Sequence, residues 1–140
     1  MLKSVKFITG FLGISMFMFG VLKFVNPFRG WYRAQIMSSE LPFPEIVYWT
    51  GQLGEIAVGI GFFFLLFKDR SLTGNTVDRI FYTGNILIAA MMLAASYVHL
   101  LPGVPLDVLP LKVRPPYIPG LFLLLAMLNM YLGKKNICTQ

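Results

Sequence analysis

The sequence predicts an all-α integral membrane protein, a four-helix bundle with a short interfacial helix after the first span and a Pro-rich third loop. Three observations carry this. The 140-residue chain is 56% hydrophobic and only 13% charged, whereas soluble domains carry about 25% charge. Its mean hydropathy is +0.70. Its apolar residues gather into runs of about 20, the length a helix needs to cross ~30 Å of hydrocarbon. At this length residues 1–140 form one membrane domain,.

The first span is expected over residues 5–25, the second over 44–67, the third over 79–101 and the fourth, near the lower limit of length, over 117–133,. Lys3 and Lys6 before an apolar run loosely resemble a secretion signal. That run is long, however, and ends at Lys23 with no small-residue cleavage site, so it reads as a span,.

Seven Lys and Arg residues (Lys3, Lys6, Lys68, Arg70, Arg79, Lys134, Lys135) fall on one side of these spans and five (Lys23, Arg29, Arg33, Lys112, Arg114) on the other. The positive-inside rule then places both termini in the cytoplasm. All nine prolines lie in or beside the first and third loops, on the opposite, outer side. Proline fixes φ and removes a donor, so those loops are stiff. The third, "PGVPLDVLPLKVRPPYIPG", is apolar enough to lie on the membrane or fold over the helix ends. In "NPFRGWYRAQIM", Asn26 suits an N-cap and Pro27 a first turn,. Phe28, Trp31, Tyr32, Gln35 and Ile36 then share one face of an interfacial helix, with Arg29 and Arg33 on another,.

The net charge of +6 lies at the span ends, where it anchors helices in headgroups, and no basic stripe with interleaved aromatics points to nucleic acid,. The single cysteine, Cys138, forms no redox or metal pair and reads as a free surface thiol,. One histidine does not support bis-His haem or a His-rich metal site within the chain,. No phosphate loop, zinc-protease motif or serine elbow is present,. Redox chemistry would therefore require a bound organic cofactor, such as a quinone, or another subunit, and stand-alone catalysis is disfavoured.

One acid stands deep inside a span. Glu55, about 16 Å along its helix from Pro44, shares a face with Gly51, Gln52, Val58 and Gly59, with Gly54 beside it. Intramembrane ionisable groups are expensive and face the bundle interior. Small residues let a neighbouring helix approach. The first span offers a matching face in Gly10, Gly13, Phe17, Gly20 and Phe24, with Lys23 one turn after Gly20. Lys23 and Glu55 are then separated by an axial gap on the order of 10 Å, which two long side chains partly close; direct pairing and bridging by a water or by Gln52 both stay open.

His99 falls in the same outer half. Lys23, Gln52, Glu55 and His99 are thus the candidates for a ligand or partner site. Two roles stay open for each ionisable group. Glu55 is a protonated brace or a site residue, Lys23 a snorkelling anchor or a charge partner, and His99 a packing residue or a functional one. Asn85 and Asn129 stand at similar heights in the third and fourth spans and suit hydrogen-bonding glue between helices,.

The stretches "GISMFMFGVLKFVNP" and "LPFPEIVYWTGQLGEIAVGIGFFFLL" resemble the first two helices of the DoxX-like membrane proteins. Gly13, Gly20, Lys23, Phe24 and Pro27 match the first signature, and Pro42, Gly51, Gly54, Glu55 and Gly59 the second. The resemblance covers the first half of the chain, and the four-span plan agrees with it. It implies a multi-pass protein of a bacterial or archaeal inner membrane. Relatives include membrane subunits of thiosulfate:quinone oxidoreductase, partners of thiol and oxidative-stress enzymes, and a distant branch of assembly chaperones. The apolar composition makes the lipid bilayer a partner,; a membrane or periplasmic protein and a second copy of the chain in a homo-oligomer are the other partners left open. Lys23 and Glu55 carry over as signature polar residues, without an assigned role.

Overall fold

A computed structural model describes residues 3–68 and 73–137. Arg70 and Cys138 lie outside the described residues, as do the side chains of Lys68 and Lys135. The described chain is helical, without strands, and runs α1 (Lys3–Leu22), α2 (Phe28–Met37), α3 (Pro44–Lys68), α4 (Gly74–Leu100) and α5 (Tyr117–Ile137). Two short 3₁₀ turns, Leu106–Val108 and Pro110–Lys112, lie between α4 and α5. Four helices (α1, α3, α4 and α5) are long and apolar enough to cross a membrane.

Two helices run past the limits expected from the sequence. α4 begins at Gly74, five residues before Arg79, and α5 continues past Lys134 to Ile137. Hydropathy marks the hydrocarbon-matched part of a helix, whereas backbone hydrogen bonding carries on through Asn75, Thr76 and Asp78. The Thr73 carbonyl accepts from the Thr76 and Val77 amides at 3.0 and 3.1 Å.

α1, by contrast, stops at Leu22 rather than residue 25. Phe24 and Val25 donate to carbonyls three residues back, at 3.0 and 2.9 Å, tightening the chain before Pro27,. Asn26 does not cap α2. Pro27 takes the cap position with φ −85° and ψ −10° and no side-chain cap. Backbone closes the turn instead, the Arg29 amide donating to the Val25 carbonyl at 3.0 Å.

α1 and α3 run antiparallel in close contact. A Cβ added at Gly59 would stand 2.8 Å from the Phe17 backbone nitrogen, and one at Gly20 would stand 3.1 Å from the Gln52 carbonyl oxygen. Gly13 faces Phe62 at 2.9 Å, and Gly10 faces the end of Leu66 at 3.4 Å. Phe62 is the centre of the core. It also fills the space left by Gly84 of α4, where a Cβ would meet its ring at 2.3 Å. Leu12, Met16, Leu65, Ile88, Phe122 and Ala126 pack around it. Lower on the α4–α5 seam, Gly133 makes room for Phe81. The outward faces stay apolar, with Phe7, Phe67 and Leu124 well exposed.

One end of the bundle is capped. α2 lies there, joined to α3 through a reversal in which Glu40 and Phe43 take left-handed backbone (φ 53° and 54°). The 101–116 segment folds over the ends of the helices, with Val104 and Leu109 buried against Val98 and Leu41. Gln35 of α2 donates to the Val108 carbonyl. Arg114 donates to the carbonyls of Leu101 and Pro102 at 2.8 and 3.3 Å, satisfying the exposed end of α4,.

Candidate functional site

Beneath this cap Lys23 and Glu55 meet directly, with Nζ 2.6 Å from Oε1. Of the two arrangements left open by the sequence, direct pairing and a bridge through Gln52 or a water, the structure has the direct one. The reason is the lean of helical side chains, which tilt towards the N-terminus of their own helix. In antiparallel α1 and α3 this tilts Lys23 down into the bundle and Glu55 up towards the cap. The two leans close a gap that counting residues along the axes leaves open.

The ammonium also lies 3.9 Å from the centre of the Tyr32 ring, a cation–π contact from α2,. Tyr32 stacks on Tyr48, ring centres 5.1 Å apart, and its hydroxyl donates to the Tyr48 carbonyl at 3.3 Å. That position depends on Gly51. A Cβ there would come 2.2 Å from the Tyr32 oxygen. Burial, then the charge of Glu55, then Tyr48 push the Tyr32 phenol above its ordinary range. On the exposed rim Arg33 pairs with Glu45 at 2.7 Å.

The glycines expected to form one face divide among three neighbours. Gly59 serves α1, Gly51 admits the Tyr32 hydroxyl, and Gly54 faces Met91 of α4, with a Cβ 3.2 Å from its sulfur. A helix surrounded by three others buries several stripes, and spacing alone does not say which neighbour each stripe meets.

Gln52 is 0% exposed and Glu55 6%. Neither polar atom of the Gln52 side chain, nor Oε2 of Glu55, has a hydrogen-bond partner among the described residues. His99 is buried as well, but among the described residues it makes no hydrogen bond to Lys23, Gln52 or Glu55. It lies by the 101–116 segment, within hydrogen-bonding reach of the Arg114 backbone, with Nδ1 unpartnered.

Deeper in the bundle, Asn129 donates to Asn85 Oδ1 and to Thr9 Oγ1, both at 3.1 Å. Asn85 also donates to the Phe81 carbonyl at 2.8 Å. All three side chains are fully buried.

The sequence places Tyr32 only on the face of the interfacial helix and Arg114 only among the outer charges, and does not point to Thr9, Gly84 or Gly133. Thr9 was within reach, since it sits four residues before Gly13 on the inward face of α1. An open groove of about 290 Å³ between α3 and α4, lined by Ala57, Gly61, Ile80, Thr83 and Arg79, is separate from the Lys23–Glu55 pair. No group of three or more metal-ligating side chains occurs among the described residues. Compared with family models, curated proteins and solved structures, the chain finds no match in any of the three.

Proposed function

We propose that this chain is a DoxX-like multi-pass membrane protein with both termini cytoplasmic, acting as an accessory subunit in membrane redox or oxidative-stress metabolism. Its capped end holds a small polar pocket that accepts a quinone, a lipid or a partner's transmembrane helix. The observation that supports this best is the Lys23–Glu55 ion pair, 2.6 Å long and roofed by Tyr32. Polar and charged groups in apolar surroundings are costly and concentrate where function requires them. The Lys23 side chain keeps 19% of its surface exposed, so the pair is not sealed off from the bundle surface.

Mass spectrometry of the detergent-purified protein tests the proposal. The expected result is a co-purifying quinone or lipid that Glu55→Ala loses. A protein that is ligand-free in both forms overturns the pocket.

A second reading is an assembly factor or structural partner with no small-molecule ligand. It is favoured by the close glycine-mediated contact of α1 with α3, for which the ion pair serves as a brace. Here Gly20→Leu abolishes recovery of a stoichiometric partner in a crosslinking pull-down, while Glu55→Gln leaves it. The reverse pattern rejects this reading.

A further inference from the structure

We infer that the Gln52–Glu55 side of the ion pair takes the hydroxyl head of a neutral amphiphile. The inference rests on reading this site as a ligand pocket, and it specifies the chemistry the pocket recognises.

Buried polar groups in folded proteins are almost always hydrogen-bonded, and one left bare is destabilising. Three bare atoms stand here one helical turn apart on the same helix: Gln52 Oε1, Gln52 Nε2 and Glu55 Oε2. Residues three apart on a helix are neighbours. Two of the atoms accept and one donates, so the complementary guest must both give and receive a hydrogen bond. A hydroxyl does so with one O–H and two lone pairs. An ether or a ketone, an oxidised quinone included, only accepts and would leave both oxygens unpaired. Of the ligands proposed above, the hydroxyl-bearing ones, a quinol or a lipid, therefore fit.

Charge narrows the choice further. Lys23 and Glu55 already neutralise each other at 2.6 Å, so a charged guest would enter low dielectric without a counter-charge.

The surroundings supply a place for a tail. Phe24 follows Lys23 directly, and Trp49 precedes Gln52 by one turn. Their rings lie 6.5 Å apart, and the side chains are 48% and 47% exposed. This aromatic pair on the bundle surface suits an alkyl chain whose head reaches inward past Lys23. A glycerol lipid and a phenol both present such a head.

The chain has two tryptophans, Trp31 and Trp49, so a Trp31→Phe background makes emission report on Trp49 alone. Detergent-purified protein in that background is titrated with 4-octylphenol, with its methyl ether 4-octylanisole, and with dioctanoylglycerol. At least one hydroxyl probe should bind saturably and about tenfold or more tighter than the ether. Whichever binds identifies the source.

Gln52→Leu removes the bare amide without creating a cavity and should bring hydroxyl binding down to the level of the ether. Phenol and ether binding alike, in a manner that Glu55→Ala abolishes, overturns the hydroxyl assignment and leaves the pocket standing. A hydroxyl preference that survives Gln52→Leu also overturns it. No saturable change with any probe overturns both and leaves water as the occupant.

Discussion

The Tyr32 hydroxyl occupies the space that a side chain at Gly51 would fill, 2.2 Å from the position of a Cβ. One residue belongs to the capping helix and the other to α3, so this contact fixes how closely α2 sits on the bundle. Gly51→Ala should destabilise the protein by about 1–3 kcal/mol through overpacking. Tyr32→Phe removes the clashing oxygen, and the ring carbon behind it, at 3.5 Å, is an ordinary contact. The double variant should therefore be more stable than the sum of the single changes implies, as read from unfolding curves in detergent through a double-mutant cycle.

The ion pair makes an asymmetric prediction. Lys23→Met leaves a buried carboxylate without its partner and should cost about 3–5 kcal/mol of unfolding free energy. Lys23→Met combined with Glu55→Leu removes both charges and should recover most of that loss. Equal destabilisation by the single and double variants in the same unfolding assay would contradict the direct pairing.

The glycines of the α1–α3 seam should not respond alike. Gly59→Ala presses a methyl group against the Phe17 backbone, at 2.8 Å from its nitrogen, where only a shift of the whole helix gives relief. Gly10→Ala meets the flexible end of Leu66 at 3.4 Å. The first should lower the melting temperature clearly, by about 1–3 kcal/mol of stability, and the second should be close to neutral. Thermal melts of both variants in one detergent decide between them.

Alkaline pH should expose Tyr32. Burial first, then the Glu55 charge and Tyr48, raise its phenol above the ordinary 10.0. The unfolded chain therefore loses this proton at lower pH than the folded one. The stability tied to the neutral phenol is complete below about pH 10 and is lost as pH rises towards the raised value. The phenolate absorbance of wild type and Tyr32→Phe should coincide near pH 11 while the protein stays folded. Wild type should then gain one extra phenolate on unfolding.

Much of this arrangement was legible in the sequence, because glycines and a lone acid at helical spacing in an apolar run leave few orientations. Gly13, Gly20 and Gly59 lie on the α1–α3 seam, and Lys23 lies over Glu55. The directness of that pair was not legible, since spacing along an axis omits the tilt of side chains. Nor was the role of Tyr32. An amphipathic helix shows its apolar face in sequence, but not whether that face meets lipid or a neighbouring helix. Phe28 and Trp31 are exposed, while Ile36 is buried. The limits of α4 and α5 escaped for a third reason, since a helix does not end where its hydrophobic residues do.

Lys23 lies just past the C-terminus of α1, where unsatisfied carbonyls concentrate partial negative charge. A basic residue is the type favoured at that position, and its ammonium reaches the Glu55 carboxylate across the seam at 2.6 Å. Exchanging the two residues would keep the net charge and the approximate distance, yet set an anion against those carbonyls. The contact therefore has a polarity: acid on α3 and base on α1 are not interchangeable.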